Sequence, residues 1–217
     1  MSELKLSPLD QIITKCKRCP RLIHHCQETA KKKRRSYSDW KYWGKPVPNF
    51  GDLNAELLIL GLAPACHGAN RTGRMFTGDR SGDWLYRALF KAGFANQPTS
   101  IHISDGLLLK NCLVTAVAHC APPANKLSQQ EILNCQTFFD STLDQSPIKV
   151  IIALGSVAWT AAFKTAKTRN WTTGPIPKFA HAAEIKFNAY LKSTFNMLKL
   201  HVILNKRFGD EVSKDEI

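Results

Sequence analysis

Hydrophobic residues gather into four short, nearly uninterrupted runs: Glu56–Leu60, Cys112–Ala118, Lys149–Gly155 and Lys199–Leu204. Runs of this length, bounded by glycine, proline and polar residues, read as strands, and their continuous apolar character suits a parallel sheet buried on both faces. Between them the period changes. Leu85, Leu89 and Phe90 recur at helical spacing and predict a helix from Trp84 to about Gly93, apolar side toward the sheet, with Asp83 as its cap and Gly93 as its stop. Ser128 with Glu131 three places later forms a capping box that starts a second helix, and SVAWTAAFKTA after the third strand predicts another. Residues 8 to 30 read as a short helix, a cysteine knuckle and another helix, with Pro20 breaking continuity. Strands alternating with helices predict an α/β fold, a three-layer αβα arrangement around a central four-stranded parallel sheet.

Two connections carry more than a connection requires. Tyr42–Asp52 is rich in proline, glycine and aromatics and predicts an ordered lead into the first strand. The second, GLAPACHGANRTGRMFTGDRSGD from Gly61 to Asp83, follows the first strand on the side where open α/β sheets bind ligands. Its glycines permit tight turns and close backbone approach, while Arg71, Arg74 and Arg80 supply positive charge. Phe76 offers a stacking face and Asp79 a fixed carboxylate. The plainer readings make Phe76 a core anchor and Asp79 an ion-pair partner of Arg74 or Arg80. Neither GxxxxGK[ST] nor GxGxxG is present, which argues against nucleotide triphosphate binding.

The chain has 217 residues, 44% of them hydrophobic, enough for one well-packed domain. Thirty Lys plus Arg against seventeen Asp plus Glu give a net charge of +13, a balance that favours a polyanionic partner, nucleic acid first. The basic run Lys31–Ser36 is a solvated face or a phosphate contact. No apolar run approaches the length of a membrane span and the N-terminus does not resemble a signal peptide, so an intracellular, cytoplasmic protein is expected. No sustained heptad suggests assembly, and a monomer is expected.

Seven cysteines in such a compartment point to metal binding before disulfides. Cys16 and Cys19 form CxxC, and Cys120 and Cys135 form a wider pair across the turn at Pro122 and Pro123. Four thiolates complete either tetrahedral zinc or a [4Fe-4S] cluster, and spacing does not choose between them. Either would be structural, pinning the N-terminal segment to the turn after the second strand. Cys26, Cys66 and Cys112 read as small buried thiols, which is also the plain alternative for all seven.

The long motif loop, CAPPANK and the four spaced cysteines together resemble the iron-sulfur uracil-DNA glycosylases, most closely the family 5 group, from about Cys16 to His201. The resemblance implies a [4Fe-4S] cluster on Cys16, Cys19, Cys120 and Cys135 and excision of uracil, together with deaminated purines such as hypoxanthine, from DNA. By position, Phe76 would stack on the flipped base, Asp79 would be the catalytic carboxylate, His201 would contact the leaving base and Asn125 would complete the pocket. Strand-end amides near Leu62 and Ala63 would stabilise charge on the base. Arg71 and Arg74 would contact DNA. Ala116 stands where family 4 enzymes place a uracil-reading Asn. Without the resemblance, His201 reads as a packed strand residue and Asn125 as a stabiliser of the proline turn. Nothing requires a lysine nucleophile, so a monofunctional glycosylase acting in base excision repair on the nucleoid is expected.

One domain is expected over residues 1–217, with a C-terminal segment, 202–217, that departs from the family pattern. His201 and Val202 fit, but Ile203 stands in place of a Ser, Asn205 comes one position early, and Arg-Leu-Thr is absent after Gly209. Ile203 or Leu204 would then serve as the wedge that holds the extruded base out, and Lys206 and Arg207 would reach phosphate. A truncated or frameshifted end would weaken catalysis. The competing readings are a catalytically impaired relative that binds DNA and, on the cysteines alone, a zinc-ribbon module.

Overall fold

A computed structural model of the chain describes residues 6–187 together with the strand backbone at 190–191, 194–195 and 198–202. The strand β2 (Leu57–Gly61) is buried at every position. Within it the side chains still alternate. Leu58 and Leu60 enter a core with Trp159 and Phe163, whereas Leu57 and Ile59 enter a different one with Met75, Tyr86 and Leu89. A strand apolar on both sides must be covered on both sides, and that demand produces the three layers.

β2 lies between two parallel neighbours, β3 (Cys112–Ala116) and β4 (Val150–Ala153); the last long strand, β8 (Leu198–Val202), pairs parallel with β4. These four form the parallel core that was expected. The sheet is wider than the hydrophobic pattern suggests. β1 (Phe50–Gly51) and β5 (Glu184–Phe187) add antiparallel edges, giving the order β1-β3-β2-β4-β8-β5. The first is two residues long and lies in the proline-rich lead; the second is half exposed, and neither forms an apolar run. β6 (Tyr190–Leu191) and β7 (Thr194–Phe195) pair separately.

On one face α6 (Ser156–Thr168) and α5 (Gln129–Gln145) supply the cover, with the Ser128–Glu131 capping box as expected. On the other lies α4, which corrects the expected helix start. It runs Arg80–Lys91 and is capped by Asp79, whose carboxylate accepts from the Gly82 amide at 3.0 Å. A glycine within its first turn concealed the extra turn. Tyr86 is fully buried on this helix, whereas Phe90 is 44% exposed and does not face the sheet. Gly93, at φ +80°, ends it as expected.

The N-terminal pair, α1 (Pro8–Thr14) and α2 (Pro20–Lys32), packs on the α5 side, with Leu9 and Ile13 against Phe138. Arg21 grips Glu131 with two hydrogen bonds, at 2.6 and 2.8 Å, and fastens α2 to the start of α5. Among the described residues no helix is long and apolar enough to cross a membrane.

Candidate active site

The motif loop leaves the carboxyl end of β2, makes the short helix α3 (Ala69–Thr72), and returns to α4. Between this loop, α4 and the tip of β4 lies a cavity of about 470 Å³. Leu62, Ala63, Phe76 and Asn125, expected to contact the base, line it together with Asp79, the expected catalytic carboxylate. The remaining walls are mostly apolar, with Met75, Trp84, Leu85, Ile152 and Leu154 among them.

Phe76 is fixed tightly. Its backbone sits at φ +51°, a left-handed conformation that bulky residues avoid, and its ring lies over β2 so closely that a Cβ on Gly61 would come within 2.6 Å of it. A Cβ on Gly82 would collide with the Phe76 carbonyl, so the first turn of α4 also needs its glycine. Such strain persists only where the surroundings over-determine it, and here it presents an aromatic face to the cavity.

Asp79 stands at the boundary of a second cavity of about 420 Å³, which Asn125 and Ala65 also border. That cleft is polar, with Arg34, Tyr37, His67 and Arg80 on its walls. One carboxylate oxygen caps α4; the other lies so close to Gly68 that a Cβ there would approach it to 2.0 Å. Burial raises the Asp79 pKa above the ordinary carboxylate value, and the Gly82 and Ser81 amides partly offset this. Asn125 follows Ala124 with both residues left-handed, at φ +55° and +51°. Backbone bonds close this turn, and the Asn125 side chain has no hydrogen-bond partner among the described residues.

Two expectations about arginine are corrected. Arg71 and Arg74, expected to contact DNA, are each 3% exposed and turn their guanidinium groups into the protein. Arg74 pairs with Asp105 through two bonds of 2.7 and 2.8 Å and also meets Thr77 and Ser100. Asp79 is therefore not the ion-pair partner of Arg74. Arg34 and Arg80, by contrast, are exposed and their side chains have no ion-pair partner among the described residues. Arg34 belongs to the basic run expected to be either a solvated face or a phosphate contact.

His201 lies on β8 in register with Ile152, which lines the apolar cavity, and its backbone is thus one strand from the site. Ile203, Leu204, Lys206 and Arg207 lie outside the described residues. A family model described as the uracil DNA glycosylase superfamily matches residues 48–201. The chain belongs to that superfamily. Its similarity is to type-5 uracil-DNA glycosylases: the Mycobacterium bovis protein is 45% identical over 183 residues, 83% of this chain and 67% of that one. The Pyrobaculum aerophilum protein is 45% identical over 70% of this chain and 66% of its own length, and that of Thermus thermophilus 43% identical over 68% and 67%. The family 5 assignment expected from the motif loop therefore holds.

Cys16, Cys19, Cys120 and Cys135 line one small cavity beneath α2 and α5. They are not drawn into a single-ion site: among the described residues no three His, Cys, Asp or Glu converge to hold one metal ion. The four thiols form a donor set of the kind that holds a thiolate-bound metal group. Arg18 Nε lies 3.4 Å from the Cys16 sulfur and Asn134 Nδ2 3.5 Å from that of Cys19, so N–H donors already face the sulfurs. Burial, reinforced by the neighbouring Cys19 and Cys16 and opposed by the His119 backbone and Arg18, pushes the Cys135 thiol up to about 11. Four thiols this close ionise together only against a compensating cation.

The hydrophobic pattern did not reveal one thiol contact. Cys66 lies 3.1 Å from His25 Nε2 on the wall of the polar cleft, and Cys26 bonds to Ala121 nearby. The partners are far apart in the sequence, and no spacing signals them.

Proposed function

We propose that the chain is a monofunctional uracil-DNA glycosylase of base excision repair, hydrolysing the N-glycosidic bond of an extruded nucleotide and leaving an abasic site. The carrying observation is that Phe76, Asp79 and Asn125 border one cavity, with Asp79 facing a second, basic one. A base must leave the stack before its glycosidic bond can be reached, and the Phe76 ring offsets the stacking it loses. As the bond to C1′ breaks, its electron pair goes to the base and positive charge develops on the sugar. Asp79 stabilises that charge and orients the attacking water, while the amides near Leu62 and Ala63 and the His201 side chain stabilise the departing base. Among the described residues no lysine lines either cavity, in keeping with attack by water.

Ala116 packs in the apolar cluster beside Phe76 and offers no amide to read uracil. A pocket that recognises its base by shape and stacking also admits hypoxanthine and related deaminated bases. Arg34 and Arg80 take the phosphate contacts, joined by Lys206 and Arg207 near the C-terminus, with Ile203 or Leu204 as the wedge.

Cys16, Cys19, Cys120 and Cys135 hold a [4Fe-4S] cluster in this reading. Bound there, the cluster supplies a cross-link between the N-terminal helices and the turn that carries Asn125. The enzyme acts as one domain and as a monomer, in the cytoplasm and on the nucleoid.

The test is incubation of the brown, anaerobically purified protein with duplexes carrying one uracil or one hypoxanthine, followed by alkali. Strand cleavage at the uracil is expected, with slower cleavage at hypoxanthine. Binding of both duplexes without cleavage would replace this reading by the DNA-binding relative.

A further inference from the structure

Arg71 is placed to serve the carboxylate that the reaction uses. It lies on α3, buried, with Nε donating to the His67 carbonyl at 2.7 Å and one terminal nitrogen to the Gly78 carbonyl at 2.9 Å. These two carbonyls immediately precede Gly68 and Asp79. Gly68 is the residue whose missing Cβ makes room for the Asp79 oxygen, so one guanidinium joins both sides of that close approach. Gly78 is left-handed, at φ +79°, and a Cβ there would come within 2.4 Å of the Arg71 nitrogen. The approach of Arg71 to the strand of chain before Asp79 thus depends on a second glycine.

The guanidinium plane is itself held. Tyr37 and Trp40 both pack against it, with ring centroids 3.9 and 4.0 Å from its central carbon and the two rings 75° apart. Trp40 in turn meets His102 at 5.4 Å, and the segment following it is tied to α3 through Trp43 and Gly44, whose amides donate to the Arg71 and Asn70 carbonyls. A planar cation with directed donors suits such a clamp, and a lysine in its place would keep the charge while losing the fork and the stacking face.

We infer that Arg71, packed into the corner formed by Tyr37 and Trp40, is a positioning residue that sets the Asp79 carboxylate against Gly68, and that it makes no contact with DNA. This rests on Asp79 being the catalytic carboxylate. Its charge acts in the same direction as its geometry, because it lowers the Asp79 pKa against the larger upward push of burial. The other charged groups facing Asp79 are Asp83 on its own helix and Arg34, His67 and Arg80 around the cleft.

The experiment compares wild type, Arg71→Lys, Arg71→Gln and Trp40→Leu in single-turnover excision of uracil from a duplex, with duplex affinity and thermal unfolding measured on the same preparations. Arg71→Lys is expected to lower the saturated excision rate by about 10- to 100-fold, the scale of a small misplacement of a catalytic group, with duplex affinity within about twofold of wild type. Arg71→Gln should in addition shift the acid limb of the rate profile to higher pH, which Arg71→Lys should not. Trp40→Leu, which leaves Arg71 in place at a partly exposed ring, gives a smaller loss of the same kind and decides the matter if the Arg71 variants do not fold. Weakened duplex affinity with an unchanged saturated rate would make Arg71 a phosphate contact and overturn the inference, as would unchanged rates in every variant. A wild-type protein that does not excise uracil would remove the catalytic reading of Asp79 instead.

Discussion

The two cavities that meet at Asp79 are of similar size, about 470 and about 420 Å³, and opposite in chemistry. One is walled by leucine, isoleucine and aromatic side chains from the sheet and α4; the other is walled by arginine, histidine and tyrosine from the segment after α2, the chain just before α3 and the start of α4. A flipped nucleotide has the same division, a flat uncharged base joined to a charged backbone, and the bond to be broken lies at the join. The arginines divide in parallel. Arg71 and Arg74, in the middle of the motif loop, are buried in the scaffold, whereas Arg80, near its end, and Arg34, after α2, are exposed on the polar cleft.

The largest effect is expected at the shared carboxylate. Asp79→Asn keeps the helix cap, since Asn caps as well as Asp, and so should remain folded. Single-turnover excision should nevertheless fall by about 10³-fold or more, within the range set by charge stabilisation and proton transfer. Stability should not fall with it. The raised Asp79 pKa means that the folded state holds its proton more tightly than the unfolded one, so this group's contribution is fully present below the unfolded pKa and is lost as pH rises through the folded one. Removing the ionisation at neutral pH should leave the unfolding temperature equal or higher.

A smaller effect is expected on the apolar side. Phe76→Ala removes the stacking face, worth about 1–3 kcal/mol per base, and should slow excision by about 10- to 100-fold in proportion. The loss should be similar for uracil and hypoxanthine, since stacking is tolerant of base identity. The acid side of the rate profile gives a third measurement: excision should decline as pH falls through a value above the ordinary carboxylate pKa, because Asp79 acts ionised and burial raises it.

The smallest changes are expected on the basic side. Arg34→Ala and Arg80→Ala should each reduce the slope of log affinity against log salt by about 1, leaving the saturated excision rate as it is. An equal change from Arg74→Ala would erase the distinction between buried and free arginines. That variant should instead destabilise the fold, because it leaves Asp105 without the bidentate partner that holds its carboxyl down at about 2 against the opposing effect of burial.

The parallel core was legible because its strands lie in nearly uninterrupted apolar runs, the last of them broken by Lys199 and His201, and the capping box at Ser128 was legible because its two side chains lie within four residues. The edges were not: β1 is two residues in a proline-rich lead, and β5 is a half-exposed strand whose partner lies outside its own neighbourhood. Asp79, Phe76 and Asn125 were recognisable through one long motif and one short turn. The different fates of the three motif arginines were not, because burial is decided by partners such as Tyr37, Trp40 and Asp105, distant in sequence and carrying no spacing signal. Asp79 was visible as a carboxylate but hidden as a helix cap, since Gly82 interrupts the pattern that would have marked the turn it begins.

The most direct test is single-turnover excision from a uracil-containing duplex by wild type and Asp79→Asn, each at saturating protein with duplex affinity measured in parallel. The account predicts rapid excision by wild type, loss of about 10³-fold or more in the variant, and affinities that agree within about twofold. Excision that persists at the wild-type rate in Asp79→Asn would contradict it.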